Sequence, residues 1–333
     1  MTNILITGGA GYVGSRLVPQ LLDLNHQVTI YDILYYGSDF LPTDDPRLTV
    51  VQGDLRDTAK LAGCLEGIET VIHLGCISND ASFELHEKLS ESVNFDCFEP
   101  MVITAKAAGV RRFIYASSSS VYGVSKVPNV TENHPLVPLT LYNKFKGMCE
   151  PLLFKHQSKD FICVTIRPAT LCGYAPRQRL DLSVNILTNH AVNHGRITVF
   201  GGTQLRPNLH IQDMCELYKL LLTVEDARIA GETFNAGYQN MSIMDIALVV
   251  KSIVEAEIPE RESIRIETTP SDDLRSYHIN SDKIARVIGF RPKFSVEDAV
   301  RELCVAFREG KLPSSMDDDK YFNVQRMKAL NVA

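Results

Sequence analysis

The chain begins with the stretch Asn3-Ile4-Leu5-Ile6-Thr7-Gly8-Gly9-Ala10-Gly11-Tyr12-Val13-Gly14-Ser15-Arg16-Leu17. The apolar run 4–6 is typical of a buried strand, and leucines recur at helical spacing from Leu17 onward, so the glycines lie where a strand turns into a helix. At such a turn Gly8 permits the tight bend, Gly11 lets a pyrophosphate approach the backbone, and Gly14 lets helix and strand pack closely. The N-terminus of the helix also favours phosphate groups. This stretch therefore predicts a dinucleotide-binding turn.

An acidic residue follows this turn at the distance that a dinucleotide-binding unit requires. The strand 27–31 leads into Asp32, whose carboxylate can accept both ribose hydroxyls of an adenosine. The same charge repels a 2′-phosphate, and no Arg or Lys lies between Ile33 and Asp45 to offset that repulsion. Arg16 is close enough in sequence to weaken this argument. We expect NAD rather than NADP as the cofactor.

The composition is that of an ordinary globular protein. The 333 residues offer room for about two domains, with 45% apolar and 22% charged residues. A formal net charge of −6 and the lack of a basic stripe argue against nucleic acid as a partner. No apolar run approaches the roughly 20 residues of a membrane span, and the chain starts on a functional strand rather than a signal peptide. We therefore expect a cytoplasmic protein without a membrane partner.

Eight cysteines and nine histidines are scattered through the chain. No Cys-x-x-Cys pair is present, and most cysteines lie in apolar runs such as 161–164. They are interpreted as small core residues of a reducing compartment rather than as disulfide partners or metal ligands. No metal site is predicted.

Strands and helices alternate along the first half of the chain. Further strands are predicted at 48–51, 70–74, 112–116 and 161–166. This βα rhythm, which breaks down after residue 173, predicts an α/β fold with a Rossmann doubly wound parallel sheet. A strand at 232–237 looks like a return to that sheet. We expect an NAD-binding domain of residues 1–170 and 207–240, and a smaller, interleaved mixed α/β substrate domain of residues 171–206 and 241–333.

Candidate ligand-binding residues follow these strands, because a doubly wound sheet binds ligands at the carboxyl ends of its strands. Asp54 would bond an adenine amine, with Leu55 beside the ring. N-capping of a helix by Asp54 or Asp57 is an equally good interpretation. Gly75 would lie along the cofactor, whereas His73 is interpreted as a core histidine rather than a catalyst.

Hydroxyl and amine side chains form a further pattern. The serines 117–120 follow the strand 112–116 and would place hydroxyls in the ligand crevice. Tyr142 and Lys146 lie four residues apart and so share one face of a predicted helix. A serine run alone is more often a turn, and Tyr and Lys at this spacing are common on amphipathic helices. Behind a dinucleotide turn, the combination indicates a catalytic site.

Two long helices are predicted, at 85–108 and 141–157, with the polar Asn94 on the mainly apolar first one. Both carry apolar residues beyond the face that a sheet requires, namely Phe95, Phe98, Met101, Phe145, Met148 and Leu152. A surplus apolar stripe usually marks an interface, so a homodimer is expected. The acidic segment 316–320 is expected to be a solvated tail.

Together these features resemble the extended short-chain dehydrogenase/reductase family, the nucleotide-sugar epimerases and dehydratases typified by UDP-galactose 4-epimerase. The resemblance rests on the glycine turn 8–14, Asp32, Ser118-x-x-Val121-Tyr122-Gly123 and Tyr142-x-x-x-Lys146. Weaker similarities lie at 167–173, 199–213 and 288–292. The resemblance covers nearly the whole chain, implies NAD as the cofactor, and implies a dimer in which the two long helices of each chain pair.

The resemblance also implies roles for individual residues. Tyr142 would be the base, Lys146 would hold the nicotinamide ribose and lower the pKa of the tyrosine, and Ser118 would bond the sugar hydroxyl being oxidised. Bringing a phenol from a pKa of about 10 to near 7 requires about 4 kcal/mol of preferential stabilisation of the anion. A nearby ammonium helps to supply it. The implied cofactor contacts are Gly8, Gly11, Tyr12, Val13, Asp32, Asp54, Leu55, Leu74, Gly75, Tyr142 and Lys146.

The implied substrate is a sugar linked to UDP, GDP or dTDP, with the base left open. Its implied contacts are Ser118, Ser119, Ser120, Thr170, Arg177, Arg179, Phe200, Arg206 and Arg275. Arg206 aligns with a phosphate-binding arginine of the family, whereas the position of the second family arginine falls near Pro270. Arg177, Arg179 or Arg275 would then replace it.

Two departures from the family pattern bear on the reaction. Ser119 and Ser120 stand where the 4,6-dehydratase branch places Asp and Glu, which disfavours water elimination. Thr170 stands where the family usually has Asn near the diphosphate, so contact to the nucleotide there is weaker or comes from elsewhere. The leading hypothesis is a 4-epimerase that works through a 4-keto intermediate. A one-way 4-dehydrogenase or ketoreductase is the alternative, ahead of a 4,6-dehydratase or a non-catalytic NAD-binding regulator.

Overall fold

The structure, a computed structural model of the chain, describes residues 1–125, 127, 129–270, 276 and 278–332. The strands in these residues are β1 (Asn3–Thr7), β2 (Gln27–Asp32), β3 (Leu48–Gln52), β4 (Thr70–His73), β5 (Arg112–Ala116), β6 (Ile162–Pro168), β7 (Thr170–Cys172), β8 (Arg196–Phe200), β9 (Leu205–His210), β10 (Glu232–Ala236), β11 (Gln239–Ser242) and β12 (Arg265–Thr269). The α-helices are α1 (Tyr12–Asp23), α2 (Thr58–Gly63), α3 (Asp80–Glu84), α4 (Glu87–Glu91), α5 (Phe98–Ala107), α6 (Leu141–Phe154), α7 (Ser183–His194), α8 (Ile211–Thr223), α9 (Ile243–Glu257), α10 (Asp282–Ile288), α11 (Val296–Arg308) and α12 (Asn323–Ala329).

The largest sheet positions the functional site. It has the strand order β10-β6-β5-β4-β1-β2-β3, and every neighbouring pair is parallel. The predicted doubly wound parallel sheet is therefore confirmed. The chain order reverses between β1 and β4, and ligands of such sheets bind at the carboxyl ends of the strands beside that reversal.

Helices cover both faces of this sheet, as a parallel sheet requires. Successive side chains of β1 point to opposite faces: Ile4 and Ile6 pack with α1 and α8, whereas Leu5 packs with α2, α5 and α6. All three are completely buried. The short apolar run at the start of the chain thus becomes a central strand that packs against the helices on both faces of the sheet.

A second core lies outside the large sheet, where α7, α9 and α11 pack around β8. β8 pairs with β12, and β9 pairs with both β7 and β11 in a small three-stranded sheet. An ion pair joins this region to α1, because Arg16 Nη1 lies 2.6 Å from Glu302 Oε1 on α11. β10 belongs to the large sheet, whereas residues 208–210 pair with β7. The domain boundaries stay a prediction.

The first of the two long predicted helices is interrupted, so that part of the prediction is wrong. A π-helix, Ser92–Asp96, separates α4 from α5. The cause is Asn94, whose side chain accepts from Ile77 N at 2.8 Å and donates to Ile77 O at 2.9 Å. The wider turn aims this amide at the loop that follows β4, and π-turns of this kind are frequent at functional sites.

The expected solvated tail is also wrong in part. Asp317 and Lys320 are exposed, but Asp318 caps a 3₁₀ helix, Asp319–Tyr321, and accepts from Lys320 N at 2.9 Å. The chain then continues into α12, where Asn323 and Met327 are buried. Asp318 thus caps this turn and Asp319 pairs with Arg326 on α12, so this part of the chain is docked on the fold.

The apolar surplus proposed as a dimer interface is mostly used within the chain. Phe98 and Met101 are buried in the core beneath α5, and Phe145 is buried against Phe83 and Phe95, so none of the three is spare surface. Met148 is 38% exposed and Ile103 on α5 is 50% exposed.

All eight cysteines have free thiols, and none of the helices within the described ranges is long and apolar enough to cross a membrane.

Candidate active site

A cavity of about 1140 Å³ opens at the carboxyl ends of β1, β2, β4 and β5. It extends from the glycine turn after β1 to α7, β8 and the start of α12. Pockets for a drug-sized ligand measure roughly 300–1,000 Å³. This cavity is larger, and its lining comes from both the large sheet and the second core.

The glycine turn forms one end of the cavity. Gly8 has φ of 69°, and a Cβ atom there would lie 2.6 Å from Gly75 Cα, which a real side chain does not tolerate. A Cβ at Gly14 would lie 2.1 Å from Gly9 O. Gly11 is the N-cap of α1 and provides no side-chain hydrogen bond, so the first-turn N–H groups of the helix face ligand space. These positions fit the diphosphate of a dinucleotide.

Asp32 lies at the end of β2 beside this turn. Its Oδ2 accepts from Ala10 N at 3.0 Å and its Oδ1 from Leu34 N at 2.8 Å. Burial raises the pKa of the Asp32 carboxyl, although both N–H groups oppose this. Each carboxylate oxygen retains capacity to accept a ribose hydroxyl. Arg16 is paired with Glu302 and donates to Tyr174 O, so it does not offset the charge of Asp32.

Other expected cofactor contacts also line the cavity, among them Val13, Leu55, Leu74 and Gly75. Asp54 lies there too, held by the guanidinium of Arg56 at 2.6 Å, while the N-cap of α2 is Asp57, which accepts from Lys60 N. Tyr12 lines the cavity, but its hydroxyl donates to Gly173 O at 2.6 Å. The side chain of Tyr12 therefore joins α1 to the loop after β7.

The expected catalytic residues come together at the end of β5 and the start of α6. Ser118 Oγ lies 2.6 Å from Ser120 Oγ, and Ser120 donates to Asn143 beside Tyr142. Ser118 and Tyr142 line the cavity. Lys146 is 4% exposed and donates from Nζ to Ala116 O at 2.7 Å, which holds the ammonium under the end of β5.

A buried ion pair supports this arrangement, and the sequence analysis did not identify it. Glu150 accepts from Ser117 Oγ at 2.6 Å and from Arg167 Nε at 2.9 Å. Arg167 in turn donates to the hydroxyl of Tyr122 at 2.7 Å. The spacing of Tyr142, Lys146 and Glu150 at every fourth residue was the available signal, since it places all three on one face of α6.

Expected substrate residues line the part of the cavity next to the second core. Thr170 on β7, Phe200 at the end of β8 and Arg206 on β9 all contribute, and Phe200 is 60% exposed. His190 on α7 and Gln204 line the same region, although no sequence pattern identified them. Arg275 lies outside the described residues. The Ser119 hydroxyl is fully buried and has no hydrogen-bond partner among the described residues.

Arg177 and Arg179 have different partners in the structure. Arg179 pairs with Asp181 at 2.9 Å and reaches Ser78 Oγ at 3.4 Å. Burial alone would raise the pKa of Asp181, but Arg179 beside it holds the pKa below its usual value.

Arg177 has different neighbours. Its guanidinium carbon lies 3.5 Å from the centroid of the Tyr36 ring, and its Nη2 donates to Asn323 Oδ1 at 2.7 Å. Asn323 belongs to α12, which the sequence analysis did not place at the site. Its contact with Arg177 joins two segments far apart in sequence, and no local pattern reports such a contact.

Comparison with known proteins identifies the family to which this chain belongs. The model of the NAD dependent epimerase/dehydratase family matches residues 4–237. A dTDP-glucose 4,6-dehydratase of an Actinoplanes species is 27% identical over 325 residues, covering 92% of this chain and 98% of that protein. A UDP-glucose 4-epimerase of Lactobacillus helveticus is 27% identical over 331 residues, covering 89% and 94%.

The fold matches that of solved enzymes over almost the whole chain. The dTDP-glucose 4,6-dehydratase DesIV of Streptomyces venezuelae, solved with NAD bound, has a TM-score of 0.81 at 24% identity and covers 93% of this chain and 98% of its own. That likeness concerns the fold alone. With the family model spanning most of the chain, the protein belongs to the NAD-dependent epimerase/dehydratase family and is an NAD-dependent enzyme of the extended short-chain dehydrogenase/reductase type.

Proposed function

We propose that this enzyme is a 4-epimerase of a nucleotide-activated sugar. The observation that carries the proposal is one cavity that contains Ser118 and Tyr142, the glycine turn at one end, and Thr170, Phe200 and Arg206 beside the second core. A dinucleotide at the glycine turn and a second nucleotide near Phe200 would both fit a cavity of this size. The sugar would then lie between them, next to Tyr142.

Each catalytic side chain has a definite part in this proposal. Tyr142 takes the proton of the sugar hydroxyl at C4 and returns it, while the Ser118 hydroxyl orients the same oxygen. Lys146, whose Nζ donates to Ala116 O, shares a face of α6 with Tyr142, and its positive charge would favour the phenolate anion. NAD, when bound, supplies the hydride chemistry at C4. Inversion would require the 4-keto sugar to turn in the cavity, after which Tyr142 would return the proton to O4.

The serines after Ser118 favour epimerisation over dehydration. Eliminating water requires one group to remove a proton and another to protonate the leaving hydroxyl. Ser119 is fully buried, and the hydroxyl of Ser120 donates to Asn143. Neither side chain is acidic, so neither is suited to carry a proton for this step near neutral pH.

The proposal is tested by incubating the purified enzyme with UDP-, GDP- and dTDP-linked sugars and following the sugar protons by NMR. A 4-epimerase inverts C4 in one of them, with no net reduction of NAD and no loss of water. A keto-sugar released together with NADH would identify the one-way dehydrogenase instead. A product lacking water would identify a 4,6-dehydratase and overturn the argument from Ser119 and Ser120.

The proposed contact between Phe200 and the nucleotide of the substrate is tested separately. Phe200→Ala should weaken binding of the matching nucleoside diphosphate, because an exposed aromatic ring that lines the cavity offers a face for a base. Leu248→Ala changes another exposed apolar side chain, on α9, and serves as the control. Equal diphosphate affinity in the two variants would remove Phe200 from the substrate site.

A further inference from the structure

We infer that Arg177 is a ligand of NAD, at its diphosphate and adenosine ribose, and that the C-terminal segment 318–330 completes the cofactor site by holding this arginine through Asn323. The inference goes beyond the proposed reaction, because it assigns to the cofactor an arginine that the sequence analysis assigned to the substrate diphosphate. It also gives a function to the end of the chain, which the sequence analysis expected to be a solvated tail.

The position of Arg177 supports this assignment. Its backbone N–H donates to Ser15 Oγ at 3.1 Å, in the first turn of α1 directly after Gly14. Its guanidinium carbon lies 3.5 Å from the centroid of the Tyr36 ring, in the loop that follows Asp32. The charge of Asp32 is close enough to act on the guanidinium. Arg177 therefore lies between the glycine turn and the carboxylate expected to hold the adenosine ribose, and it lines the cavity.

The environment of Arg177 is incomplete without an anion. The side chain is 4% exposed, Asn323 is its hydrogen-bond acceptor, and Nε has no partner among the described residues. The other buried arginines among the described residues have a carboxylate partner: Arg167 pairs with Glu150 and Arg112 with Asp226. Burial lowers the pKa of Arg177 to about 10, so the group is still a cation at neutral pH. A buried cation of this kind is stabilised by a phosphate or ribose oxygen that reaches its free N–H groups.

The C-terminal segment connects Arg177 to the loops around the cavity. Asn323 Nδ2 donates to Ser78 Oγ at 2.8 Å, and Asn323 N donates to Asp181 Oδ2 at 3.2 Å. Arg326 Nε donates to Tyr35 O at 2.6 Å. These bonds attach α12 to the loop after β2, the loop after β4 and the segment before α7. Loss of Asn323 would release the guanidinium and loosen the cavity on the cofactor side.

The first experiment separates the two ligands of the enzyme. Calorimetry measures the affinity of the enzyme for NAD and for the nucleoside diphosphate, among UDP, GDP and dTDP, that binds the wild type. Arg177→Met should weaken the binding of NAD by about ten- to a hundredfold, the range for a lost charge-assisted hydrogen bond. The same substitution should leave the affinity for the nucleoside diphosphate nearly unchanged. Arg206→Met should do the reverse. If Arg177→Met weakens the diphosphate and spares NAD, the inference is wrong.

Stability is followed in parallel by thermal unfolding, and Arg177→Lys provides a variant that keeps the charge. Lys has no fork of N–H groups, so NAD affinity should fall in this variant while the protein stays folded. If Arg177→Lys binds NAD as tightly as the wild type and is equally stable, Arg177 does not contact the cofactor through its guanidinium.

The second experiment addresses the C-terminal segment. Asn323→Leu removes the acceptor for Arg177 and the donor to Ser78, and it should speed NAD release by about tenfold or more, the scale of one lost charge-assisted bond. Lys328→Ala changes an exposed residue of the same helix and should leave the release rate unchanged. An unchanged release rate in a stable Asn323→Leu protein would overturn this half of the inference.

These readouts are independent of turnover. A wild type that binds NAD but none of the three diphosphates would defeat the proposed function, while the effects of Arg177→Met and Asn323→Leu on NAD would still decide the inference. Failure of the inference and failure of the proposed function are therefore distinguishable.

Discussion

The half-buried ring of Tyr142 contacts Phe83 edge-on, with centroids 6.5 Å apart, so its position depends on packing as well as on its hydroxyl. Tyr142→Phe should keep that packing and NAD binding but lose the proton acceptor. We expect the rate to fall by about 10²–10⁴, the span typical of losing a general base. The measurement is epimerase turnover together with the NAD content of the purified variant.

A matched control is available in the same cavity. Tyr35→Phe removes another phenolic hydroxyl, on the loop after β2, and should keep most of the activity. If Tyr142→Phe retains more than about a tenth of the wild-type rate, its loss falls short of general-base removal and the assignment is wrong.

Asp32 should set the preference for NAD over NADP. At 4 Å and an effective dielectric of 20, two like unit charges repel by about 4 kcal/mol, so even a quarter of that shifts the affinity ratio several-fold. Asp32→Ser should weaken the binding of NAD modestly and remove the charge repulsion that disfavours NADP. Titration of both cofactors into both proteins measures the ratio. Asp54→Ser, a second carboxylate lining the cavity, should leave it nearly constant, and an unchanged ratio in Asp32→Ser would mean that Asp32 does not face the ribose.

His73 should make the fold sensitive to acid. It is buried on β4, with its Nδ1 2.6 Å from Thr7 Oγ1, and burial together with Lys146 lowers its pKa from 6.5 to about 3. Below pH 6.5 the His73 side chain therefore binds a proton in the unfolded chain but stays neutral in the folded chain. Stability from this residue is fully present above pH 6.5 and falls by about 1.4 kcal/mol per pH unit on acidification toward pH 3.

Urea unfolding at a series of pH values measures this slope. His73→Asn removes the titrating group, so its free energy of unfolding should fall less steeply on acidification than that of the wild type. The comparison uses the slope, because the substitution also changes the stability at neutral pH. Parallel slopes for the two proteins would show that His73 does not remain neutral in the fold.

At the scale of elements, the ion pair of Glu150 and Arg167 joins α6 to β6. Both side chains are at most 6% exposed, so removing one partner leaves an uncompensated buried charge. Glu150→Gln should destabilise the protein by about 3–5 kcal/mol. The double variant Glu150→Leu, Arg167→Met should recover much of that loss, because it buries no charge.

A more exposed pair just beyond the C-terminal end of the same helix is the control. Glu99 on α5 lies 3.4 Å from Lys155 just after α6, and the lysine side chain is 59% exposed. Glu99→Gln should have a much smaller effect than Glu150→Gln in the same urea titration. Equal effects would contradict the special position of the buried pair.

Element by element, the sequence predicted what depends on local pattern. The strands β1 to β6 follow apolar runs bounded by turns, and Tyr142 and Lys146 share a face of α6 as their spacing requires. The π-helix at Ser92–Asp96 was not predictable, because it depends on the contact between Asn94 and Ile77 in a different loop. The polarity of Asn94 was visible in the sequence, but its partner was not.

For the whole molecule, the expected homodimer remains a prediction with a narrower basis. Ile103 and Met148 stay exposed on α5 and α6, which pack against each other. Met148→Glu should lower the mass measured by light scattering at micromolar concentration from dimer to monomer, because a charge would be buried at the interface. Leu248→Glu, at an exposed position of α9, should leave the mass unchanged. A monomeric wild type would contradict the prediction.

The sequence was least informative where distant segments meet. The large sheet could be predicted from the βα rhythm, and the glycine turn could be assigned from its spacing. His190 and Gln204 could not be assigned to the site, since they carry no motif and reach the cavity only through the packing around β8. The placement of α12 likewise depends on Asn323 meeting Arg177 across the folded chain.

The strand β10 has a consequence for synthesis on the ribosome. It pairs with β6 at the edge of the large sheet, yet residues 169–231 separate the two strands in the chain. At about 5–20 residues per second, the nascent protein exposes the outer edge of β6 for several seconds, and an unpaired edge strand is a template for aggregation. Asn235, which accepts from the Tyr122 hydroxyl at 2.7 Å, also arrives only then. A chaperone that shields β6 during this interval should therefore raise the yield of folded enzyme.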